Sequence, residues 1–399
     1  MAQNLKARLS RIRGTTPKPS GEIPKAAAYN KNKAADFMPV WPGWEEVGFK
    51  VYKRKVCLGL TTELIKDMPR IFPKSLAILV PDLIRLKKIP LPGELLFFDL
   101  ETTGLSGGAG TLAFLAAFGR FVFPEGNAHG TLEITQYLLL DYPGEPIFLE
   151  MLLKEFDRRP PQITVSYNGK CFDSQILKNR CLINGIMPPD FYHADLLHPA
   201  RRLWKRKLPD CSQSTIEVSI LGLDRSGDVP GALAPEIWFS FLKNGENREL
   251  LLICEHNIKD ILGLACLFLC MGDIAVNPLE SRTKYNFDEE ALALLWRKAL
   301  KKNPLFFNEC ESCNDDSHFP AALIHAKTSE LLLETAAKNG HPHAALLLAI
   351  NAEWHLKDPH LALSYTKCAL RSSGISSSFQ NELEKRRCRL EEKISRAII

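Results

Sequence analysis

The chain has 399 residues, 45% of them hydrophobic and 24% charged, a globular composition with room for one sizeable core and a second domain. Lys and Arg number 51 against 46 acids, a formal net charge of +5, so a polyanionic partner is permitted but not required. Residues 1–25 lack an apolar secretory segment, and the longest apolar run, near Ile261–Met271, is too short for a bilayer, which takes roughly 20 residues. Eleven Cys without framework spacing fit reduced thiols, so a cytoplasmic protein with no membrane partner is expected.

Residues 1–35 are rich in Lys, Arg, Pro, Ala and Asn, with Glu22 the only acid, and read as a disordered basic tail. Leu5, Leu9 and Ile12 offer one short amphipathic turn, so a specific binding helix is the alternative. Residues 36–93 form an N-terminal extension expected to pack on the core. Trp41, Trp44 and the alternating Val47–Tyr52 suggest a hairpin strand, and Phe72–Pro81 is apolar enough to dock. No chemistry is visible there.

Residues 94–275 read as α/β. Strands are expected at 95–100, 112–123, 131–140, 162–167 and 191–196. The first three follow one another closely, which predicts an antiparallel meander. Helical periods fall at 146–156, 172–184, 198–205, 212–220, 235–243 and 248–272. The fold class is therefore a mixed sheet flanked by helices, followed by an all-α helical-hairpin domain at 288–399. In that second domain Pro320–Lys338, Pro342–Lys357 and Pro359–Arg371 are amphipathic, and Gly340 and Pro359 punctuate the breaks. Ala362 and Ala369, with Leu363 and Leu370 beside them, resemble the second helix of a tetratricopeptide-type repeat, of which about one copy is readable.

The most informative segment is Glu94–Gly104. An apolar run ends in Asp99-Leu-Glu101, and alternate strand residues share a face, so two carboxylates meet on one side of a buried element. Such a pair repels itself unless a cation joins it. Thr102, Thr103 and Gly104 follow as a polar, permissive turn that lets a substrate backbone come close. A second segment, Val165–Asp173, turns at Asn168-Gly169 and enters a helix near Phe172, which puts Asp173 in a first turn where the helix dipole favours an acid. A purely structural role at the helix start is the alternative. A third, Glu255–Leu262, sets His256 and Asp260 four apart on one face of a long apolar helix, with Glu255 and Lys259 as a surface pair.

Asp99 with Glu101, Asp173 and Asp260 resemble the four acids of the DEDD (DnaQ-like) exonuclease superfamily. Phe98–Gly104 is similar to its first motif, Asn168-x-x-x-Phe172-Asp173 to its second and His256-Asn-x-x-Asp260 to its third. Within that superfamily the run 94–275 resembles the bacterial YprB-type ribonuclease H-like proteins, through Leu95–Phe118, Tyr192–Leu203 and Asp228–Trp238. The resemblance implies an RNase H-like nuclease domain and tetratricopeptide-like helices at the C-terminus. It further implies two Mg²⁺ or Mn²⁺ ions roughly 4 Å apart. Asp99 would bridge both, Glu101 and Asp260 would complete the ion that binds the attacking water, and Asp173 would support the second. The implied reaction is phosphodiester hydrolysis releasing 5′-nucleotides from a 3′ end. His256 stands four residues before Asp260, where the tyrosine subtype has Tyr, whereas the histidine subtype has its His five before. Its expected role is to deprotonate or orient the water.

Thr102, Thr103, Gly104 and Asn168 are the turn residues expected to meet nucleic acid, DNA or RNA. Arg201-Arg202-Leu-Trp204-Lys205-Arg-Lys207 packs five cations around one Trp, which suits gripping phosphates and stacking a base. A solvated basic helix with Leu203 and Trp204 turned to the core is the alternative. Asp195, ending the strand at 191–196, either assists the metals or fixes the turn that follows. Cys310-x-x-Cys313 with His318 and His325 is half a zinc site at most, and His341-Pro-His343 reads as a helix start. Two other functions remain open on the same residues: a structure-selective or RNA-directed endonuclease, and a nucleic-acid-binding scaffold with little catalysis whose C-terminal helices hold a protein partner.

Overall fold

A computed structural model describes residues 41–59, 72–87, 89–104, 110–123, 130–157, 163–245, 248–303 and 321–398, the side chains of 321–326 and 397–398 excepted. Strands β1 (Trp44–Gly48) and β2 (Val51–Gly59) form the first hairpin. Short helices α1 (Leu76–Leu79) and α2 (Asp82–Leu86) precede β3 (Leu95–Thr102), β4 (Ala113–Val122) and β5 (Thr131–Leu139). Helix α3 (Glu145–Asp157), β6 (Ile163–Ser166), α4 (Asp173–Ile183), β7 (Tyr192–Asp195) and α5 (Leu197–Trp204) alternate after them. Then come α6 (Gln213–Ile216), a π-helical turn Glu217–Leu221, α7 (Ala234–Asn244), the long α8 (Arg248–Val276) and α9 (Pro278–Tyr285). Helices α10 (Glu289–Lys302), α11 (Ala321–Lys338), α12 (Pro342–Trp354), α13 (Pro359–Leu370) and α14 (Ser377–Ile398) close the described chain.

The seven strands run in the order β1-β2-β5-β4-β3-β6-β7. Pairings are antiparallel from β1 to β3, and β6 and β7 add in parallel. The meander and the alternating strands thus fall where hydrophobic periodicity puts them. Two expectations shift. The alternation at 47–52 does not run as one strand: it breaks at a turn where Lys50 takes φ +60. The helical period at 212–220 begins as α6 but widens into a π turn, which leaves Glu217 buried against α8. Pro278 at the first turn and Asn286 in the left-handed region bound α9, which periodicity alone does not resolve. The basic tail, residues 105–109, the Cys310-x-x-Cys313 pair and His318 lie outside the described residues, as does the side chain of His325. His341 does precede a helix, as its Pro342 predicts.

Both faces of the sheet are covered. Leu96, Phe98, Phe114 and Phe118 meet Phe148, Leu152 and Phe156 of α3, Ile176 and Leu177 of α4 and Trp238 of α7. Phe97, Ala117, Phe121 and Ile134 meet Ile261, Leu264, Ala265 and Phe268 of α8. The segment 72–81 docks behind α8: Phe72 packs edge-on to Phe268 with ring centroids 5.2 Å apart, and Ser75 donates to the Ala275 carbonyl at 2.8 Å. Helices α10 and α11 join the same apolar body through Leu292, Trp296, Leu332 and Leu333.

The seat of α8 is set at Gly119. A Cβ built there would stand 2.5 Å from Ile261 Cγ2 and 3.3 Å from the Phe97 Cβ, so only glycine lets the helix lie this close to β4 and β3. We expect Gly119→Val to destabilise the protein by about 1–3 kcal/mol through overpacking, read as a lower urea midpoint. Unchanged stability would show that α8 is not held by this contact.

Candidate active site

Asp99 and Glu101 continue the face of β3 that Phe97 begins, because side chains alternate along a strand. The chain bulges between Glu101 and Thr102, where pairing with β4 shifts register. Helix α8 crosses this face and brings His256, Asn257 and Asp260 down on it. From the other side, β6 ends in a turn whose Asn168 takes φ +67. The Asp195 carboxylate holds that turn: it accepts from the amides of Asn168 at 2.8 Å, Lys170 at 3.1 Å and Leu197 at 3.1 Å. Of the two roles open to Asp195, it performs the structural one. The turn delivers Asp173, buried, to the start of α4.

Asp99, Glu101, Asp173, His256 and Asp260 thus line a single cleft of about 230 Å³, together with Thr102, Tyr167, Asn168, Phe172 and Gly231. Possible ligand atoms of Glu101, His256 and Asp260 all lie within 4.8 Å of one another. Burial and mutual repulsion dominate the electrostatics. Burial, and then the charge of Asp260, push Asp99 up to about 7, against a hydrogen bond from Asn257 that favours its ionised form. Glu101 is raised well above the usual range by burial and then by Asp99, Asp260, Asp173 and Asp228. Burial, and then Asp99, raise Asp173 likewise. Among the described residues none of these three acids forms an ion pair. Crowded, buried oxygen donors lacking a cation of their own are the donor set that hard divalent ions take, so the residues fit Mg²⁺ or Mn²⁺.

Asp260 differs, because a cation already reaches it. The Arg225 guanidinium pairs with Asp260 at 2.5 Å, Glu217 at 2.5 Å and Asp228 at 2.7 Å. His256 lies in the same network. Its Nδ1 is 2.9 Å from Asp228 Oδ2 and its Nε2 is 3.2 Å from Asp260 Oδ2. The hydrogen bond at Nδ1 sets the orientation of the imidazole, and Nε2 faces the acid cluster. Glu217 is pushed up to about 7 by burial, with Arg225 pulling the other way.

The residues expected to meet nucleic acid divide. Thr102 and Asn168 line the cleft. Both threonine hydroxyls serve the turn itself, Thr102 donating to the Gly104 carbonyl at 2.9 Å and Thr103 accepting from the Leu112 amide at 2.9 Å. Arg201, Arg202 and Lys205 are exposed. Trp204 is a correction. It is fully buried and its indole donates to the Tyr285 carbonyl at 2.9 Å, so it stacks no base. Arg206 is taken out of the basic set too, by ion pairs to Asp288 and Glu290.

Asn257, Arg225, Asp228 and Glu217 belong to the site, yet the sequence assigns none of them a functional role. Asn257 stood inside the His256–Asp260 motif, and a wholly polar residue on the apolar side of α8 was its signal. Arg225 and Asp228 sat three apart in a Gly-flanked loop with no local sign of their partners.

The raised acids set a pH dependence. A carboxylate whose folded pKa lies above its unfolded one binds protons more tightly when folded, so its stabilisation is complete below the unfolded value and is lost as pH rises through the folded value. For Asp99 the window runs from the usual 3.8 to about 7. Relative to Asp99→Asn, the metal-free protein is expected to lose several degrees of melting temperature between pH 5 and pH 8, and Mn²⁺ is expected to restore them to the wild type only. Parallel melting curves of the two proteins across that range would refute this.

Residues 96–271 match the family model described as RNase_H superfamily. An uncharacterized protein of Bacillus subtilis (strain 168), YprB, is 35% identical over 250 residues, which cover 60% of this chain and 57% of that protein, so the match spans little more than half of the relative's length. Among solved structures, the family B DNA polymerase from the hyperthermophilic archaeon Pyrobaculum calidifontis aligns with 53% of this chain and 30% of its own, at 15% identity and a TM-score of 0.33, too distant to inform function. No helix among the described residues is long and apolar enough to cross a membrane. The sheet order and the flanking helices give the region matched by that model, residues 96–271, an RNase H-like α/β fold, with a helix-rich region following it.

Proposed function

We propose that this protein is a metal-dependent nuclease of the DEDD type, cutting phosphodiester bonds from the 3′ end of a nucleic acid, with Asp99, Glu101, Asp173 and Asp260 holding two Mg²⁺ or Mn²⁺ ions. The observation that carries this reading is the convergence of four acids from β3, α4 and α8 on one cleft, three of them pushed up by burial and by one another. Ions held there would lower the pKa of water and neutralise charge on the phosphate. The chain's own groups do the rest. His256, oriented by Asp228, presents Nε2 beside Asp260 to take or steer a proton from water. The turn Thr102–Gly104 and Asn168 form the rim where a sugar–phosphate backbone would lie, and the exposed Arg201, Arg202 and Lys205 supply positive charge for flanking phosphates.

The scaffold reading keeps one specific support: Arg225 already neutralises part of Asp260, which would weaken metal binding and slow turnover. The C-terminal helices, which we read as tetratricopeptide-like, leave Trp354 and Leu356 exposed and are where a protein partner would be sought.

The deciding assay incubates pure protein with 5′-labelled single- and double-stranded DNA and RNA in Mn²⁺. Laddering from the 3′ end, abolished in Asp99→Ala and reduced about a hundredfold or more in His256→Ala, supports the proposal. Internal cuts that depend on Asp99 favour the endonuclease, and binding without any cleavage favours the scaffold. Separately, Arg201→Glu with Lys205→Glu is expected to weaken nucleic-acid binding and flatten its salt dependence by up to about two units of slope. Binding insensitive to both changes would move the nucleic-acid path elsewhere.

A further inference from the structure

One row of residues runs straight across four strands toward the acid cluster. Arg54 on β2 is the register partner of Gln136 on β5, Gln136 of Ala117 on β4, and Ala117 of Asp99 on β3. Register partners share a face, so these four side chains stand on the side that α8 covers. Ala117 is the small member, and Asn257 of α8 bridges the gap above it. Its Nδ2 donates to Asp99 Oδ2 at 2.7 Å and its Oδ1 accepts from Gln136 Nε2 at 3.0 Å. Gln136 Nε2 also donates to the Cys254 carbonyl at 2.8 Å, and its Oε1 accepts from Arg54 Nε at 3.2 Å and from the terminal Nη2 at 2.8 Å. Gln136 and Asn257 are both fully buried, and Arg54 is packed over Trp44 with its guanidinium 5.1 Å from the ring centre.

The chemistry of this row has a direction. An amide faces its surroundings in either of two ways, with oxygen and nitrogen exchanged, and in a dry site only its partners decide which. A guanidinium can only donate, so Gln136 must turn its oxygen to Arg54 and its nitrogen to α8. Asn257 must then turn its oxygen to Gln136 and its nitrogen to Asp99. An ionised carboxylate can only accept, so the far end agrees. We infer that Arg54, Gln136 and Asn257 form a polarity relay that fixes one oxygen of Asp99 as an acceptor and leaves the other for the cleft. Asn257 is the residue that positions Asp99, and the β1–β2 hairpin is a working part of the site.

This rests on Asp99 being a metal ligand, as proposed above. Gln136 and Arg54 touch neither Asp99 nor any other acid of the cleft, which makes them the informative positions. The experiment titrates Mn²⁺ into full-length protein, by electron paramagnetic resonance, for wild type, Asn257→Ala, Gln136→Met, Arg54→Met and Glu255→Gln. The last removes the 2.7 Å ion pair of Arg54 and leaves the relay whole. Affinity per folded molecule is expected to fall about tenfold in Asn257→Ala and Gln136→Met, the usual effect of losing a group that orients a ligand. It should fall measurably in Arg54→Met and stay at the wild-type value in Glu255→Gln. Folded Gln136→Met and Arg54→Met that bind Mn²⁺ as wild type does would overturn the relay. Should wild type itself bind no Mn²⁺, the active-site reading fails, and the relay is decided by stability alone. Arg54→Met and Asn257→Ala, which do not touch, must then be coupled in unfolding free energy, with the coupling lost in the Gln136→Met background. Additive effects would overturn it.

Discussion

Everything in this domain follows from α8 lying close across one face of the sheet. That contact is apolar along most of its length, where Ile261, Leu264 and Phe268 cover Phe97, Ala117 and Phe121. At its N-terminal end the same contact becomes polar and charged. Asp99 and Glu101 lie on the continuation of the face that Phe97 occupies, and Asn257 and Asp260 lie on the continuation of the face that Ile261 occupies. One packing interaction therefore both stabilises the fold and forces carboxylates together. The apolar half offsets the repulsion of the acidic half, which is why such a cluster persists in a folded chain without dissolving the element that carries it.

The legible part of this arrangement is the part encoded locally. An acid pair at the end of an apolar strand, a turn before Asp173 and an acid four residues after His256 are each readable because strand and helix periods fix which neighbours share a face. The five strands β3 to β7 fall within two residues of their expected bounds for the same reason, whereas the alternation at 47–52 divides between β1 and β2. Trp204 shows where that logic stops. Five cations beside one Trp match a nucleic-acid grip, yet α5 turns Leu203 and Trp204 inward and Arg201 and Arg202 outward. Spacing gives the faces of a helix but not which of them meets solvent.

What was not legible is cross-strand. Arg54, Gln136 and Asp99 are separated by dozens of residues and belong to no common motif. They become neighbours only once β2 pairs with β5, β5 with β4 and β4 with β3 in one particular register. The hairpin that bears Arg54 is added outside the three strands of the meander, so its relation to the site depends wholly on that register. A slip of one residue on β2 would turn Arg54 to the opposite face. The hairpin β1–β2, in which no chemistry is legible as sequence, thus contributes a donor that reaches toward the centre of the domain.

Arg225 explains how the site can exist before any ion arrives. Three carboxylates from three places, Glu217 on the π turn, Asp228 in the loop and Asp260 on α8, converge on its guanidinium. A planar fork with five donors suits that task better than an ammonium point charge. The loop is pinned to α8, Asp228 is pinned to His256, and the negative charge on the α8 side is partly balanced. On the β3 side nothing equivalent exists among the described residues, and Asp99, Glu101 and Asp173, raised by burial and by one another, ionise without a cation to balance them. The asymmetry separates the two halves of the site by function. One half is braced by a permanent cation. The other has no such partner among the described residues, and in the proposed function that lack is what would drive capture of a divalent ion. On the proposed metal-dependent reading, such a chain would fold without its metal and still take it up, in contrast to small domains whose fold is created by the ion.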